Sequence, residues 1–301
     1  MRSNIVRDLL HRLAADRRHV VSDWRAMILL QRAARTLEPS SRAQAPRTAA
    51  EAKRLLDRMV AAGDLRPLEH IVGVYEVIVP YADVGGVGEL EVLMETQPCV
   101  AASHHTAMAF HDLTDDQPKV IHATVPTEHG DFDVPPGTSP EDWADMPRAP
   151  ARFPAEILGR PVRWHRVQPQ RFGGVGEYAP EGWSLRVTTP ERTLLDGLSD
   201  PEACGGIGTV LRGWAKSRDL LDVNALVQLV EQLDVGVLRQ RVGFVLETLA
   251  LTHESFERWR AGAKRGGSSR LCASAPYAAT YSERWSLSLN APIDALQRGE
   301  A

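Results

Sequence analysis

Cysteine is scarce in this chain: Cys99, Cys204 and Cys272 are far apart and odd in number. They form neither a disulfide framework nor a zinc motif, so a reducing cytoplasm is the expected compartment. Long apolar runs are missing too. No stretch approaches the roughly 18 apolar residues of a membrane-spanning helix. Arg7, Asp8, His11 and Arg12 interrupt the beginning, where a signal peptide would need an apolar core.

Signatures of cofactor chemistry are equally absent. The glycine-rich runs at residues 81–89, 173–176 and 205–208 lack the Lys-Ser or Lys-Thr of a phosphate loop and the spacing of a dinucleotide fingerprint. They read as bends and helix starts, the first as a hinge between domains. His104, His105, His111, His122 and His129 have no HExxH pairing, no cysteine at short spacing and no evident carboxylate. They are expected as surface or hydrogen-bonded core histidines, with no metal and no cofactor. The Glu-x-Lys triplet that a restriction-type nuclease would carry on a strand occurs as Glu51-Ala52-Lys53, inside a predicted helix. No enzymatic activity is expected.

What is present is a division of charge. The 301 residues carry a formal net charge of -4. Residues 1–70 hold 14 lysines and arginines against 8 acidic residues, a net +6, which leaves -10 for the remainder. A basic N-terminal module on an acidic body suggests that the first part meets a polyanion.

Within that module, residues 47–81 organise the rest. Thr48 and Glu51 form a capping box, so a helix is predicted from Ala49. Leu55, Leu56, Met59 and Val60, with Ala52 a turn earlier, make its apolar face, and Gly63 ends it. Residues 65–68 and 71–79 are predicted strands, with His70 near their turn. A helix followed at once by a small hairpin is the back half of a winged helix-turn-helix. The exposed face carries Lys53, Arg54 and Arg58, flanked by Arg47 and Arg66. Such a cluster can meet phosphates and reach base edges in the major groove, whereas an ordinary solvated helix face would show similar charge without either contact.

Two helices precede this stretch, over residues 4–16 and from Ser22 to about residue 36, with Ile5, Leu9, Leu10 and Leu13 buried in the first. In the second, Trp24, Met27, Ile28 and either Leu30 or Gln31 turn inward. Residues 38–46 form a long Ser/Pro/Arg-rich loop. After the hinge, helices are predicted over residues 88–96 and 101–113, and a strand over residues 119–125. Residues 126–161 are a proline-rich acidic insertion pinned by Phe132, Trp143, Phe153 and Ile157. Strands over residues 162–167 and 183–187 lead into a helix in which Thr189 caps, Pro190 holds the first position, and Arg192 can pair with Asp196. Four more helices, over residues 208–218, 223–233, 237–251 and 254–264, suggest a bundle beside a small sheet. Arg239, Arg241, Arg258, Arg260, Lys264 and Arg265 make the last two locally basic, usually a solvated face and, less simply, a second contact surface for DNA or a toxin.

The run TTPERTLLDGL, then Asp200-Pro201, Gly205-Gly206, and Arg241-Val242-Gly243-Phe244 with Glu247, resembles the AbiEi antitoxins of AbiE-type (type IV) toxin-antitoxin systems. Residues 101–113 and the Gly73-Val74-Tyr75 strand add to the resemblance. It implies a winged helix that represses its own operon at inverted repeats, and a C-terminal domain that neutralises a nucleotidyltransferase toxin. The long 126–161 insertion and the extended 38–46 loop depart from that pattern.

The expected fold class is therefore α+β: a winged helix-turn-helix over residues 1–82, then a larger mixed antitoxin domain over residues 83–301 with a helical C-terminal bundle. The expected DNA-binding residues are Arg47, Thr48, Lys53, Arg54, Arg58, Arg66 and His70. The expected partners are double-stranded promoter DNA and the cognate toxin, without a membrane. Two other readings stay open on the residues: a metal-dependent nucleic-acid-processing enzyme, and a toxin-binding protein without specific DNA binding.

Overall fold

Leu9, Leu13, Leu30, Leu56 and Met59 meet in one apolar core near the N-terminus, each almost wholly buried. Each such side chain contributes roughly 1.5–3 kcal/mol by leaving water. The computed structural model describes residues 4–36, 46, 48–78, 86–128, 134–144, 149–179, 182–263 and 269–297. It is a mixed α+β fold with ten α-helices and three sheets among those residues. The chain divides into two compact units, Met1–Val100 with His129–Arg160 and Glu177–Arg186, and Ala101–Glu128 with Pro161–Gly176 and Val187–Ala301.

The first unit begins with α1 (Asn4–Ala15), β1 (Val20–Ser22), α2 (Asp23–Thr36), α3 (Ala49–Ala61), β2 (Leu65–Pro67) and β3 (Val74–Val77). The helices form where apolar residues recur at helical spacing: Ile5, Leu9, Leu10 and Leu13 are all buried on α1, and Leu30 rather than Gln31 turns inward on α2. The Thr48 hydroxyl accepts from the Glu51 backbone N–H at 3.2 Å, which starts α3. Gly63, at φ 77°, takes the left-handed conformation just past its end. β2 and β3 pair antiparallel in the register Leu65↔Val77 and Arg66↔Glu76, and β1 lies on the other side of β3, giving the order β1-β3-β2.

Next comes α4 (Glu89–Thr96), two of whose acidic side chains, Glu91 and Glu95, are buried and bonded to β1. Glu91 accepts from the backbone N–H groups of His19 and Val20 at 2.9 and 3.1 Å. Glu95 accepts from the backbone and hydroxyl of Ser22 at 2.9 and 2.5 Å, from Arg18 at 3.3 Å and from Arg25 Nε. These bonds group α4 with the N-terminal elements, so the compact units do not follow a division at residue 82. The proline-rich stretch is also fastened here. Trp143 packs on Trp24 at 5.8 Å between ring centres, and Arg152 donates to Asp23 at 2.9 and 2.7 Å. Ile157 is fully buried as expected, whereas Phe153 is 42% exposed.

The second unit opens with β4 (Ala101–Ala102), α5 (His104–Phe110) and β5 (Ile121–Pro126). The chain returns to the first unit for β6 (Glu156–Ile157), then runs along β7 (Arg160–Val167), β8 (Val175–Tyr178) and β9 (Leu185–Thr188). Residues 101–113 were expected as one helix. Their first two alanines instead pair as a strand between β5 and β9, and the helix begins only after Ser103. Alanine favours helices by well under 1 kcal/mol per residue, a preference that tertiary context readily overrides, here through pairing with β5 and β9. β5 and β7 are parallel, with Thr124 opposite His165.

The helices α6 (Pro190–Ser199), α7 (Ile207–Ser217), α8 (Val223–Leu233), α9 (Gly236–Thr248) and α10 (Ser255–Gly262) enclose the second core around Trp214 and Trp285. β10 (Ser269–Arg270), β11 (Tyr281–Ser282) and β12 (Leu287–Ser288) form a small sheet in the order β10-β12-β11. No helix among the described residues is long and apolar enough to cross a membrane. Arg47, His129, Phe132, Lys264 and Arg265, most of the 38–46 loop and residues 81–85 of the hinge lie outside the described residues.

Candidate functional site

The 3.6-residue period that buries Ala52, Leu55, Leu56 and Met59 turns Lys53, Arg54 and Arg58 to the opposite, exposed face of α3. No ion pair among the described residues engages these three side chains, and Arg58 Nε reaches only the Arg54 carbonyl, at 3.4 Å. Thr48 stands at the head of the helix with its hydroxyl committed to the cap. Arg66 lies on the hairpin, but its Nε and Nη2 both donate to Glu76 Oε2, at 2.8 and 2.5 Å. Its charge is thereby offset locally. His70 is exposed at the hairpin turn with φ 64°.

Beside the hairpin lies a cleft of about 630 Å³, lined by Arg66, His70, Glu69, Glu76, Glu156 and Leu158 among others. Its carboxylates outnumber its arginines, so the cleft itself is not a cationic surface. Of the seven residues expected at a DNA surface, α3 brings Lys53, Arg54 and Arg58 together on one face. Arg66 and His70 sit on the hairpin, and Arg47 lies outside the described residues.

The motif residues in the second unit are buried and engaged. Arg192 Nε donates to Asp196 at 2.8 Å while its Nη1 donates to the carbonyls of Arg171 and Gly173 at 2.8 and 2.6 Å. Burial raises the Asp196 carboxyl above its ordinary value, against the pull of Arg192. Arg241 donates to the carbonyls of Arg270 and Leu198 at 2.9 and 2.7 Å. Glu247 accepts from Trp285 Nε1 at 2.7 Å and from Arg260 Nη2 at 2.5 Å. Arg239 and Arg258 both pair with Glu231, at 2.8 and 2.5 Å. The late helices therefore do not present a free basic face through Arg239, Arg241, Arg258 or Arg260. Sequence spacing missed this because most of the partners lie on neighbouring elements.

A second constellation combines residues that the linear sequence keeps apart. The turn from β4 into α5 holds His104 at φ 51°, in the left-handed region that asparagine, aspartate and histidine enter more often than other L-residues. Its ring stacks on His165 from β7 at 3.7 Å between centroids. His165 Nε2 lies 3.0 Å from His122 Nδ1 on β5, and His104 Nδ1 lies 2.9 Å from Ser103 Oγ. Burial, reinforced by neighbouring histidines, pushes His104 down to about 3 and His122 and His165 down to about 4, so all three are neutral at pH 7. Asp200, at the end of α6, completes the group, and ligand atoms of His104, His165 and Asp200 lie within 4.8 Å of one another. His104 and His122 were singled out in the sequence; His165 and Asp200 were not weighed with them, because only the β5–β7 pairing and the end of α6 bring them near.

The fold is similar to that in the crystal structure of the RV2827C protein from Mycobacterium tuberculosis, with a TM-score of 0.56 at 12% sequence identity. The likeness covers 98% of this chain and 94% of that one, and at this identity it shows the fold alone. No family model matches the chain. No curated protein matches it either.

Proposed function

We propose that the N-terminal elements are a winged helix-turn-helix that binds double-stranded DNA, and that the chain is a transcriptional repressor and antitoxin rather than an enzyme. The observation that carries the DNA reading is the exposed face of α3, where Lys53, Arg54 and Arg58 stand without ion pairs among the described residues. The element order α1-β1-α2-α3-β2-β3 and strand order β1-β3-β2 support it, being those of a winged helix. In this reading Arg54 and Arg58 face the major groove, Lys53 and Arg47 meet phosphate, and residues 68–70 lie along the backbone or minor groove. Autoregulation of an operon and neutralisation of a nucleotidyltransferase toxin rest on the resemblance of the TTPERTLLDGL and Arg241-Val242-Gly243-Phe244 elements to AbiEi antitoxins.

The test is binding of the purified chain to the DNA upstream of its own gene, against a scrambled duplex, across a salt series with and without magnesium. Selective, salt-sensitive retention without cleavage is expected. Arg54→Ala and Arg58→Ala should each cost on the order of 1–3 kcal/mol and relax sequence preference, whereas Lys53→Ala should weaken all sequences alike. Unchanged binding by the double arginine variant would refute the assignment of α3, and magnesium-dependent cleavage would favour a nuclease. Co-expression with the neighbouring gene tests the antitoxin half: growth arrest that this chain fails to relieve would remove it.

A further inference from the structure

We propose that Arg18, Arg25 and Ser184 form a binding site for a small oxyanion of the phosphate or carboxylate kind, within the first compact unit and apart from the basic face of α3. The three side chains come from the turn after α1, from α2 and from the segment before β9. They converge on the turn at Gly137. A Cβ built on that glycine would have Ser184 Oγ at 3.4 Å, Arg18 Nη2 at 3.6 Å and Arg25 Nη1 at 3.7 Å as its nearest neighbours. Three donors thus border the gap beside Gly137, and guanidinium and hydroxyl groups are what an oxyanion accepts from. Gly137 is exposed and Ser184 half-buried, so the gap opens to solvent.

Donor capacity is left over on all three residues. Arg25 Nε is taken by Glu95 and Nη1 by the Pro136 carbonyl at 3.0 Å, which leaves Nη2, buried and with no hydrogen-bond partner among the described residues. Arg25 is only 2% exposed, and a donor so enclosed ordinarily has a partner. Arg18 Nη1 reaches Glu95 at 3.3 Å, while its Nη2 makes no hydrogen bond among the described residues, and neither does Ser184 Oγ.

Charge points the same way. Glu95 is the carboxylate that both guanidiniums share, one negative charge for two positive ones. Glu91, the other buried acid of α4, is turned to the backbone N–H groups of His19 and Val20. Burial pushes its carboxyl up to about 7, so it offers less than a full charge at neutral pH. Asp16 is 47% exposed and approaches only Arg18 Nε, at 3.9 Å. Burial, and then the neighbouring Arg18 charge, pull the Arg25 guanidinium down to about 10 in spite of Glu95. An anion beside Gly137 supplies the missing negative charge. Arg32 and Arg186 hold the same loop through the carbonyls of Gly137 and Val134, at 3.3 and 2.6 Å, but Asp142 and Glu177 already offset them.

The experiment titrates the purified full-length chain with sodium phosphate, and separately with sodium acetate, at constant ionic strength balanced by chloride. The Nε–H resonances of Arg18 and Arg25 report binding by NMR. Saturable shifts of both, fitting one anion per chain, are expected, with no saturation at Arg54 and Arg58 on the exposed face of α3. A response to both anions supports a general oxyanion site, and a response to phosphate alone supports a tetrahedral one. Ser184→Ala should weaken uptake by about tenfold, the typical worth of a hydrogen bond to a charged group. Ser184→Asp sets a carboxylate of the chain itself beside the two arginines and should abolish uptake. The Ser184 hydroxyl makes no bond among the described residues, so both variants keep the fold. Shifts that chloride alone reproduces, that fail to saturate, or that persist unchanged in both Ser184 variants would overturn the site. Loss of DNA binding bears only on α3.

Discussion

Arg32 and Asp142, 110 residues apart in the chain, form a two-point ion pair, Nε to Oδ1 at 3.0 Å and Nη2 to Oδ2 at 2.5 Å. The pair fastens the proline-rich stretch to α2 of the first unit. The hydrogen bonds from Arg32 hold the Asp142 carboxyl down at about 2, below its ordinary 3.8. A carboxyl lowered on folding stabilises the fold above its unfolded value and loses that contribution as pH falls through its folded value. The window is therefore about pH 4 down to about pH 2, and the contribution at neutral pH is on the order of 2 kcal/mol. Urea unfolding of the parent chain and Asp142→Asn should differ by that amount at pH 6, by roughly a third of it at pH 2.5, and converge only below about pH 2. A difference that stays constant over this range would remove Asp142 as the titrating group.

Glu95 is the most consequential buried acid in the first unit. With no exposed surface, it receives Ser22, Arg18 and Arg25, and the two arginines are themselves 3% and 2% exposed. Removing one partner of such a group strands the others, at a typical cost of about 3–5 kcal/mol. Glu95→Gln keeps the shape and removes the charge, so its melting temperature should fall sharply. Glu89→Gln, which breaks the partly exposed pair with Arg160, should cost roughly 1 kcal/mol or less. Equal losses in the two variants would show that the Glu95 charge is not what holds β1, α2 and α4 together.

These contrasts explain what was legible in the sequence. The stripe of α3 and its Thr48 cap repeat at short spacing, and both are observed. So is the Arg192–Asp196 pair, four residues apart. β4 was hidden, because Ala101 and Ala102 before a helix look like more helix until β5 and β9 flank them. β8 was hidden by Gly173, Gly174 and Gly176, which read as a bend. The burial of Glu91 and Glu95 was invisible because their donors lie on β1 and α2. The same holds for the histidine group, since His104, His165 and Asp200 come from a strand-to-helix turn, a parallel strand and a helix end.

Glu76 limits the charge that the hairpin can offer. It accepts from Nε and Nη2 of Arg66, whose side chain is 67% exposed. If the hairpin approaches DNA as proposed, Glu76→Gln should release Arg66 to phosphate. Affinity should rise by roughly 0.2–1 kcal/mol, the typical worth of an exposed pair. The slope of log affinity against log salt should steepen by up to about 1, one further phosphate contact. The double variant Glu76→Gln with Arg66→Ala should lose that increment. A gain that persists without Arg66 would assign it to removal of the acidic charge alone.

Gly243, on α9, lies against the ring of Trp285. A Cβ added there would stand 2.1 Å from Cη2 and 2.3 Å from Cζ3 of that ring. The indole cannot simply withdraw, because it is 1% exposed in the core and its Nε1 donates to Glu247 at 2.7 Å. Gly243→Ala therefore forces a shift of packed side chains or of the helix. Overpacking of this kind costs typically about 1–3 kcal/mol, and contacts this short put the expectation at the upper end or beyond. Trp285→Ala alone should cost about 3–5 kcal/mol through the cavity it leaves. In the double variant the new methyl group enters that cavity, so the combined loss should fall short of the sum by 1 kcal/mol or more, the signature of residues in contact. Urea unfolding of all four proteins closes the cycle. Additive losses would mean that Gly243 serves the helix backbone rather than the seat of Trp285.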